Sequence, residues 1–359
     1  MNNRVSAAAG TTDGTRRTRL SVIDYLKAVL ILLVILNHSN LFAKDNLIFL
    51  LFINPAVPAF MVLSGFTFAR SAQAGSLAAL FHRSLQFRRI VRYTLPAVVY
   101  SIAWSIYKFC FASCFPSKIL KDLLFVSIGP GSYYFPLMIE FLFVAPLQLY
   151  CFYKWDHYGL LLSAAAALLW ELFCKGVHLP LPLYRILIIR YVFHISCGMM
   201  LWKVLSSGKR LPPVVLILSS AAGFCYLFLP STGYSYRLFS YSVWGRTSMV
   251  TVLWVFPILY ALIRRYSDKS LPGKLHMILS YAGKSSYHMM FVQMFAYVVM
   301  YDHTDTMVDL SLPGRFLAFV IIAVLSTLLG IIWYKKESSV LLLCDSLSES
   351  RRQRTRTHQ

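Results

Sequence analysis

Residues 22–38 of the chain read VIDYLKAVLILLVILNH, an apolar run that contains three ionisable side chains, Asp24, Lys27 and His38. A helix needs about 20 mostly apolar residues to cross the roughly 30 Å of hydrocarbon in a bilayer, because each residue advances it by about 1.5 Å. Together with the residues up to position 42, this run is long enough to do so. It therefore predicts a transmembrane helix that carries charge where lipid disfavours charge.

Apolar runs of similar length make up most of the remaining chain. Hydrophobic residues occupy 58% of the 359 positions and charged residues 14%, whereas soluble domains carry roughly 25% charged residues. Long apolar runs without strand-like alternation favour helices over a barrel, because backbone amides in lipid must be satisfied internally. We expect an all-α, polytopic integral membrane protein with about ten transmembrane helices. The candidate stretches are 22–42, 47–69, 91–113, 134–153, 158–178, 184–206, 212–229, 245–265, 276–301 and 312–335.

The basic residues indicate how the chain is oriented. There are 35 Lys and Arg against 14 Asp and Glu, which gives a formal net charge of +21. A nucleic-acid-binding domain would display this charge on a polar surface, whereas here it is divided among the segments between apolar runs. If the N-terminus is cytoplasmic, the predicted inside segments hold 23 of the 35 basic residues and the outside segments eight. This bias follows the positive-inside rule and predicts two cytoplasmic termini and no nucleic-acid partner.

The same observations divide the chain into three parts. We expect a basic cytoplasmic N-tail at 1–20, a membrane domain at 21–336 and a basic cytoplasmic C-tail at 337–359. The C-tail either lies on the anionic inner surface of the membrane or is disordered. The seven cysteines show no CxxC pair of the kind that binds zinc, so we expect no metal site.

The charges of the first predicted helix share one face. An ionisable side chain inside a membrane costs a few kcal/mol, so each is a functional candidate. Eleven positions separate Lys27 from His38, which places them within roughly 20° of each other and about 16 Å apart, with Asp24 one turn below Lys27. Histidine titrates near neutrality and suits proton transfer. The alternative is an interfacial ion pair of Asp24 with Lys27 and an inert helix-end histidine.

Five short segments carry a further pattern. They are Asp24-x-x-Lys27-x10-His38, Val57 to Phe66 (VPAFMVLSGF), Arg89-x-x-Arg92, Tyr133 to Glu140 (YYFPLMIE) and Gly283 to Gln293 (GKSSYHMMFVQ). In their residues, order and spacing they resemble the signature of the polytopic membrane acyltransferase family 3, over roughly residues 20–335. Members of this family include the O-acetyltransferases that modify bacterial surface glycans. Many members have arginine where this chain has Lys27 and histidine where it has Gln293, which weakens any role for Gln293.

The resemblance implies a reaction and a set of roles. An acyl group, usually acetyl, would pass from cytoplasmic acetyl-CoA to a hydroxyl of a cell-surface or exported glycan, or of a lipid-linked saccharide, at the bacterial inner membrane. His38 would be the catalytic base or a transient acyl carrier, because a sugar hydroxyl is a poor nucleophile until its proton is removed. Glu140 would orient His38 or bind the acceptor. The donor-binding candidates are Lys27, Arg89 and Arg92, and the acceptor-binding candidates are Ser64, Tyr133 and Tyr134.

Each role has a structural alternative. Arg89 and Arg92 also fit as topology-setting charges, and Glu140 also fits as a counter-charge for Arg190. Ser64 with Gly65 also fits as a point of close helix approach. The two tyrosines also fit an aromatic belt at the membrane surface.

Two other classes of protein share some of these features. A transporter or flippase of lipid-linked saccharides would also have many helices and buried charges, but the sequence lacks the internal repeats common in transporters. A non-catalytic scaffold of a polysaccharide-synthesis complex would have no reason to keep Asp24, Lys27, His38 and Glu140 in lipid. For the enzyme, such a complex is a candidate partner.

Overall fold

The computed structural model describes residues 20–72, 83–229, 247–267, 269–303 and 310–357, with no side-chain description at 83–85 and from 340 onward. Within these ranges the chain forms helices and turns, and no strand. The α-helices are α1 (Ser21–His38), α2 (Ala56–Ala72), α3 (Arg83–Cys110), α4 (Pro116–Leu124), α5 (Tyr134–Trp155), α6 (His157–Val177), α7 (Leu181–Ile186), α8 (Val192–Ser206), α9 (Pro213–Phe228), α10 (Val252–Tyr266), α11 (Gly273–Lys284), α12 (Ser286–His303) and α13 (Leu312–Thr357). A π-helical turn (Phe49–Ile53) precedes α2, and 3-10 turns precede α8 (Ile188–Tyr191) and α10 (Met249–Thr251).

Among the described residues, seven helical stretches are long and apolar enough to cross a membrane. They are Ser21–His38, Phe49–Ala72, Tyr134–Trp155, His157–Val177, Ile188–Ser206, Met249–Tyr266 and Leu312–Ser339. The all-α prediction is confirmed, whereas the count of about ten is not. The other three predicted stretches are helical but fall short in different ways. Helix α3 begins with a segment rich in basic residues, and α9 has only 16 residues. The stretch 276–301 is divided between α11 and α12 at Ser285.

Helices α2 and α8 pack with their backbones almost touching. A Cβ placed on Gly65 would lie 2.0 Å from the carbonyl oxygen of Ile195, and one on Gly198 would lie 2.0 Å from the carbonyl oxygen of Val62. In lipid the hydrophobic effect does not drive helices together, so small residues that permit close van der Waals packing decide where helices meet. This supports the alternative reading of Gly65 as a point of close helix approach.

Helix α1 is held between α11 and α12. Gly283 of α11 sits against the backbone of Asp24, since a Cβ there would lie 1.9 Å from the Asp24 carbonyl oxygen. At the other end, the Tyr297 hydroxyl of α12 donates to the carbonyl oxygen of Ile35 (2.7 Å), and the Tyr301 hydroxyl donates to that of His38 (2.8 Å). These carbonyls belong to the last turn of α1, where the helix itself provides no partner. Both ends of the charged stripe are therefore fixed in place.

The helix ends at the turn between α5 and α6 are tied to α8. Asp156 forms this turn with a left-handed φ of 47° and accepts a hydrogen bond from Lys203 Nζ at 2.7 Å. This bond holds the pKa of the Asp156 carboxyl below its usual range. The pair is exposed to solvent, so its contribution to stability is small.

The predicted tails are partly described. The N-tail, residues 1–20, lies outside the described residues apart from Leu20. In the C-tail, the backbone continues α13 as one helix from residue 337 to Thr357. The cytoplasmic location of both tails stays a prediction.

Candidate active site

A single cavity runs along the charged face of α1. It is bounded by α1, α2, α3, α5, α11 and α12 and encloses about 1340 Å³ of empty space, its open mouth included. Asp24 and His38 both line it, and their separation of 14 positions corresponds to about 21 Å along the helix. The cavity thus extends over about two thirds of the roughly 30 Å thickness of a bilayer core.

The end of the cavity near Asp24, which we call the cationic end, contains positive charge from three helices. Lys27 comes from α1, Arg92 from α3 and Lys284 from α11. The hydroxyl of Tyr287 donates to the carbonyl oxygen of Tyr93 at 2.9 Å, which ties α12 to α3 beside Arg92. Lysine and arginine in this arrangement are suited to a phosphorylated ligand, because each can donate charge-assisted hydrogen bonds.

The other end of the cavity, the histidine end, has a different character. His38 and Asn37 of α1 line it, together with Asn54 of the turn before α2. The His38 ring contacts the edge of Tyr297, with ring centroids 5.9 Å apart. Amides and one imidazole can bind and deprotonate a neutral hydroxyl compound.

Six of the eight residues predicted from the sequence line this cavity. They are Lys27, His38, Ser64, Arg92, Tyr133 and Tyr134. The Tyr134 ring packs between Phe60 and Tyr287, with centroid distances of 6.3 and 6.4 Å. The Ser64 hydroxyl donates to the carbonyl oxygen of Phe60 at 2.8 Å. The tyrosines are thus part of the cavity wall rather than of a surface belt.

Arg89 and Glu140 lie outside the cavity wall. The Arg89 guanidinium stacks over the Phe68 ring of α2, 5.4 Å from its centroid. Glu140 Oε2 accepts a hydrogen bond from the backbone N–H of Ile188 at 2.7 Å. Ile188 opens the 3-10 turn before α8, so Glu140 caps this turn.

Arg190, on that same turn, is enclosed by other partners. It is 1% exposed and donates to the Thr247 hydroxyl at 2.6 Å. Its guanidinium carbon lies 4.5 Å from the centroid of Tyr184 and 4.9 Å from that of Tyr191. The acid of this cluster is Glu171, which accepts from the Tyr184 hydroxyl at 2.7 Å.

Sequence reasoning missed Glu171 and assigned no role to Lys284 or His288. Glu171 interrupts the predicted span 158–178, so the rule that singled out Glu140 could have found it. Lys284 and His288 stand in the Gly283 to Gln293 segment, but no local pattern distinguishes cavity-lining residues from buried ones there.

The Glu140→Gln variant separates a capping role from a catalytic one. The amide oxygen of glutamine can still accept from the Ile188 N–H, so we expect acyl transfer close to that of the wild type. Glu140→Ala leaves the buried N–H without this acceptor and should lower stability by about 1–3 kcal/mol. Transfer activity and thermal unfolding of both purified variants test this. A folded Glu140→Gln protein without activity would instead favour the catalytic role.

Helical stretches of membrane-crossing length, with one cavity between a cationic and a histidine end, define a multi-pass membrane protein with an internal binding site. A family model described as an acyltransferase domain matches residues 20–335, and the chain belongs to this family, acyltransferase family 3. The family predicted from the sequence is confirmed, and with it the acyltransferase class. Searches among curated proteins and among solved structures found no match.

Proposed function

We propose that the protein is a membrane O-acyltransferase that moves an acyl group, usually acetyl, from cytoplasmic acyl-CoA to a hydroxyl of a cell-surface or exported glycan. The observation that carries the proposal is that one cavity contains both the cationic group and His38. Coenzyme A has its phosphates at one end and its thioester at the end of a long flexible arm. With the phosphates near Lys27 and Arg92, the arm would extend along α1 towards His38, about 16 Å away.

In this proposal His38 removes the proton of the acceptor hydroxyl. The oxygen then attacks the thioester carbonyl carbon, a C–O bond forms and the C–S bond breaks. The thiolate of coenzyme A leaves and takes the proton from the imidazolium of His38, so the residue returns to its starting state. In the second form of the proposal, His38 itself accepts the acyl group and passes it to the hydroxyl.

The remaining parts of the proposal concern location and partners. The excess of basic residues in the predicted inside segments supports cytoplasmic termini and access of acyl-CoA to the cationic end. The resemblance to family members that modify bacterial surface glycans supports a bacterial inner-membrane location. The amides and the imidazole of the histidine end favour a neutral carbohydrate hydroxyl as acceptor, free or lipid-linked. The family match supports an enzyme over a transporter or flippase.

The donor site is tested by removing its cations. We expect Lys27→Ala and Arg92→Ala each to weaken coenzyme A binding by roughly 10- to 100-fold, because hydrogen bonds to charged groups contribute about 1.5–3 kcal/mol. Isothermal titration calorimetry in nanodiscs measures this. Arg89→Ala is the matched comparison, since Arg89 stacks on Phe68 outside the cavity wall and should have a smaller effect. If all three variants bind coenzyme A as tightly as the wild type does, the arginines are topology-setting charges and not donor-binding residues.

A further inference from the structure

His288 and Glu337 form a buried pair near the cationic end, and neither has a role in the proposed acyl transfer. His288 of α12 is 3% exposed, lines the cavity, and its Nε2 lies 3.0 Å from Oε2 of Glu337 on α13. Glu337 is 7% exposed. The other ring nitrogen of His288, Nδ1, is buried and has no hydrogen-bond partner among the described residues.

The packing of α13 holds this histidine in one orientation. The His288 ring lies against Trp333 and Tyr334, with centroid distances of 5.5 and 5.7 Å. Two turns before Glu337, Gly330 sits directly on α12, where a Cβ would lie 2.6 Å from Cγ of Met289. A buried polar atom without a partner is costly and uncommon in folded proteins. With Nε2 bound to Glu337, Nδ1 is the atom left for a ligand.

We propose that His288, held by Glu337, binds a phosphate of the acyl-CoA donor at the cationic end of the cavity. This inference rests on the proposed function and adds a residue to its donor site. Its chemistry requires a doubly protonated ring, with Nε2–H donating to Glu337 and Nδ1–H donating to the phosphate.

The charges around His288 link protonation of its ring to binding of the donor. The charged and titratable groups that face the cavity here are Asp24 and Lys27 of α1, Arg92 and Tyr93 of α3, Lys284 of α11, and Tyr287 beside His288 itself. From α13, Tyr334 and Glu337 contact the ring. An anionic phosphate placed among the three cations would favour the doubly protonated form of the ring. Donor binding should therefore be accompanied by proton uptake at His288.

Calorimetry on the full-length protein in nanodiscs tests this with three probes. Coenzyme A carries a diphosphate and a 3′-phosphate, dephospho-coenzyme A carries the diphosphate alone, and pantetheine carries neither. We expect His288→Ala to weaken binding of both phosphorylated probes by about tenfold and to leave pantetheine unchanged. Titration in buffers of different ionisation enthalpy should show proton uptake for the wild type and less for the variant.

Glu337→Gln keeps a hydrogen-bond acceptor for Nε2 but removes its charge. We expect it to reduce proton uptake and phosphate-dependent affinity. It also provides a test if His288→Ala is too unstable to purify. His303→Ala, an exposed histidine at the far end of α12, is the matched control and should match the wild type. Equal losses for pantetheine and coenzyme A, or no loss in either variant, would overturn the assignment. A wild-type protein that binds no coenzyme A would instead overturn the proposed donor.

Discussion

The His38→Ala variant is expected to insert and fold as the wild type does, to bind coenzyme A, and to transfer almost no acyl group to the acceptor. General acid–base catalysis by a positioned side chain typically contributes roughly 10²- to 10⁴-fold to a rate. His38 is the imidazole at the histidine end of the cavity, and its helix end is fixed by hydrogen bonds from Tyr297 and Tyr301. Alanine removes the base without disturbing these bonds, because they involve backbone carbonyls.

Glycan acylation measured by NMR in an expressing host, together with coenzyme A affinity of the purified variant, tests this expectation. His303→Ala provides a control for loss of a histidine on the same side of the protein. Incubation of the wild type with labelled acetyl-CoA and no acceptor, followed by mass spectrometry, distinguishes the two forms of the mechanism. A labelled adduct on His38 would support the acyl carrier, and its absence would support the base. Undiminished acylation by a folded His38→Ala protein would refute both.

The Gly65→Ala variant is expected to be strongly destabilised. The added methyl group would lie 2.0 Å from the carbonyl oxygen of Ile195, so one of the two helices must move. Overpacking of this kind costs about 1–3 kcal/mol in well-packed cores, and here the obstacle is backbone rather than a flexible side chain. Helix α2 forms part of the cavity wall, so its displacement should also reduce acyl transfer.

Thermal unfolding in detergent or nanodiscs measures the effect. Gly176→Ala is the matched control, since it is also a helical glycine but has no atom within 4 Å of the added methyl group. We expect it to be neutral or slightly stabilising, because alanine favours helix over glycine. Equal unfolding temperatures for Gly65→Ala and Gly176→Ala would show that α2 and α8 can separate without cost.

Much of the fold could be predicted from the sequence because membrane spans are a local property. Seven of the predicted stretches have sufficient apolar length by themselves. The stretch 276–301 is instead divided between α11 and α12 at Ser285, two residues after Gly283 meets the backbone of Asp24. This contact joins residues more than 250 positions apart. Hydropathy, which considers one segment at a time, contains no information about it.

The candidate site likewise has features that follow from the sequence and features that only helix packing decides. The positions of Lys27 and His38 on one face of α1 follow from helix geometry, and both line the cavity. Arg89 and Arg92 are three residues apart, and the sequence makes both of them donor-binding candidates. The neighbouring helix separates them, since Phe68 of α2 takes the Arg89 guanidinium while Arg92 faces the cavity.

The sequence by itself determined the membrane class, the charged stripe of α1 and the acyltransferase family, because each depends on residues close together in the chain or on a recognisable motif. The tertiary structure decided which charges share a cavity and which are used in packing. Glu140 caps Ile188, and Glu337 reaches His288 from a helix 49 residues further along. The physical reason is that a buried polar side chain must find a partner, and packing alone determines which partner is within reach.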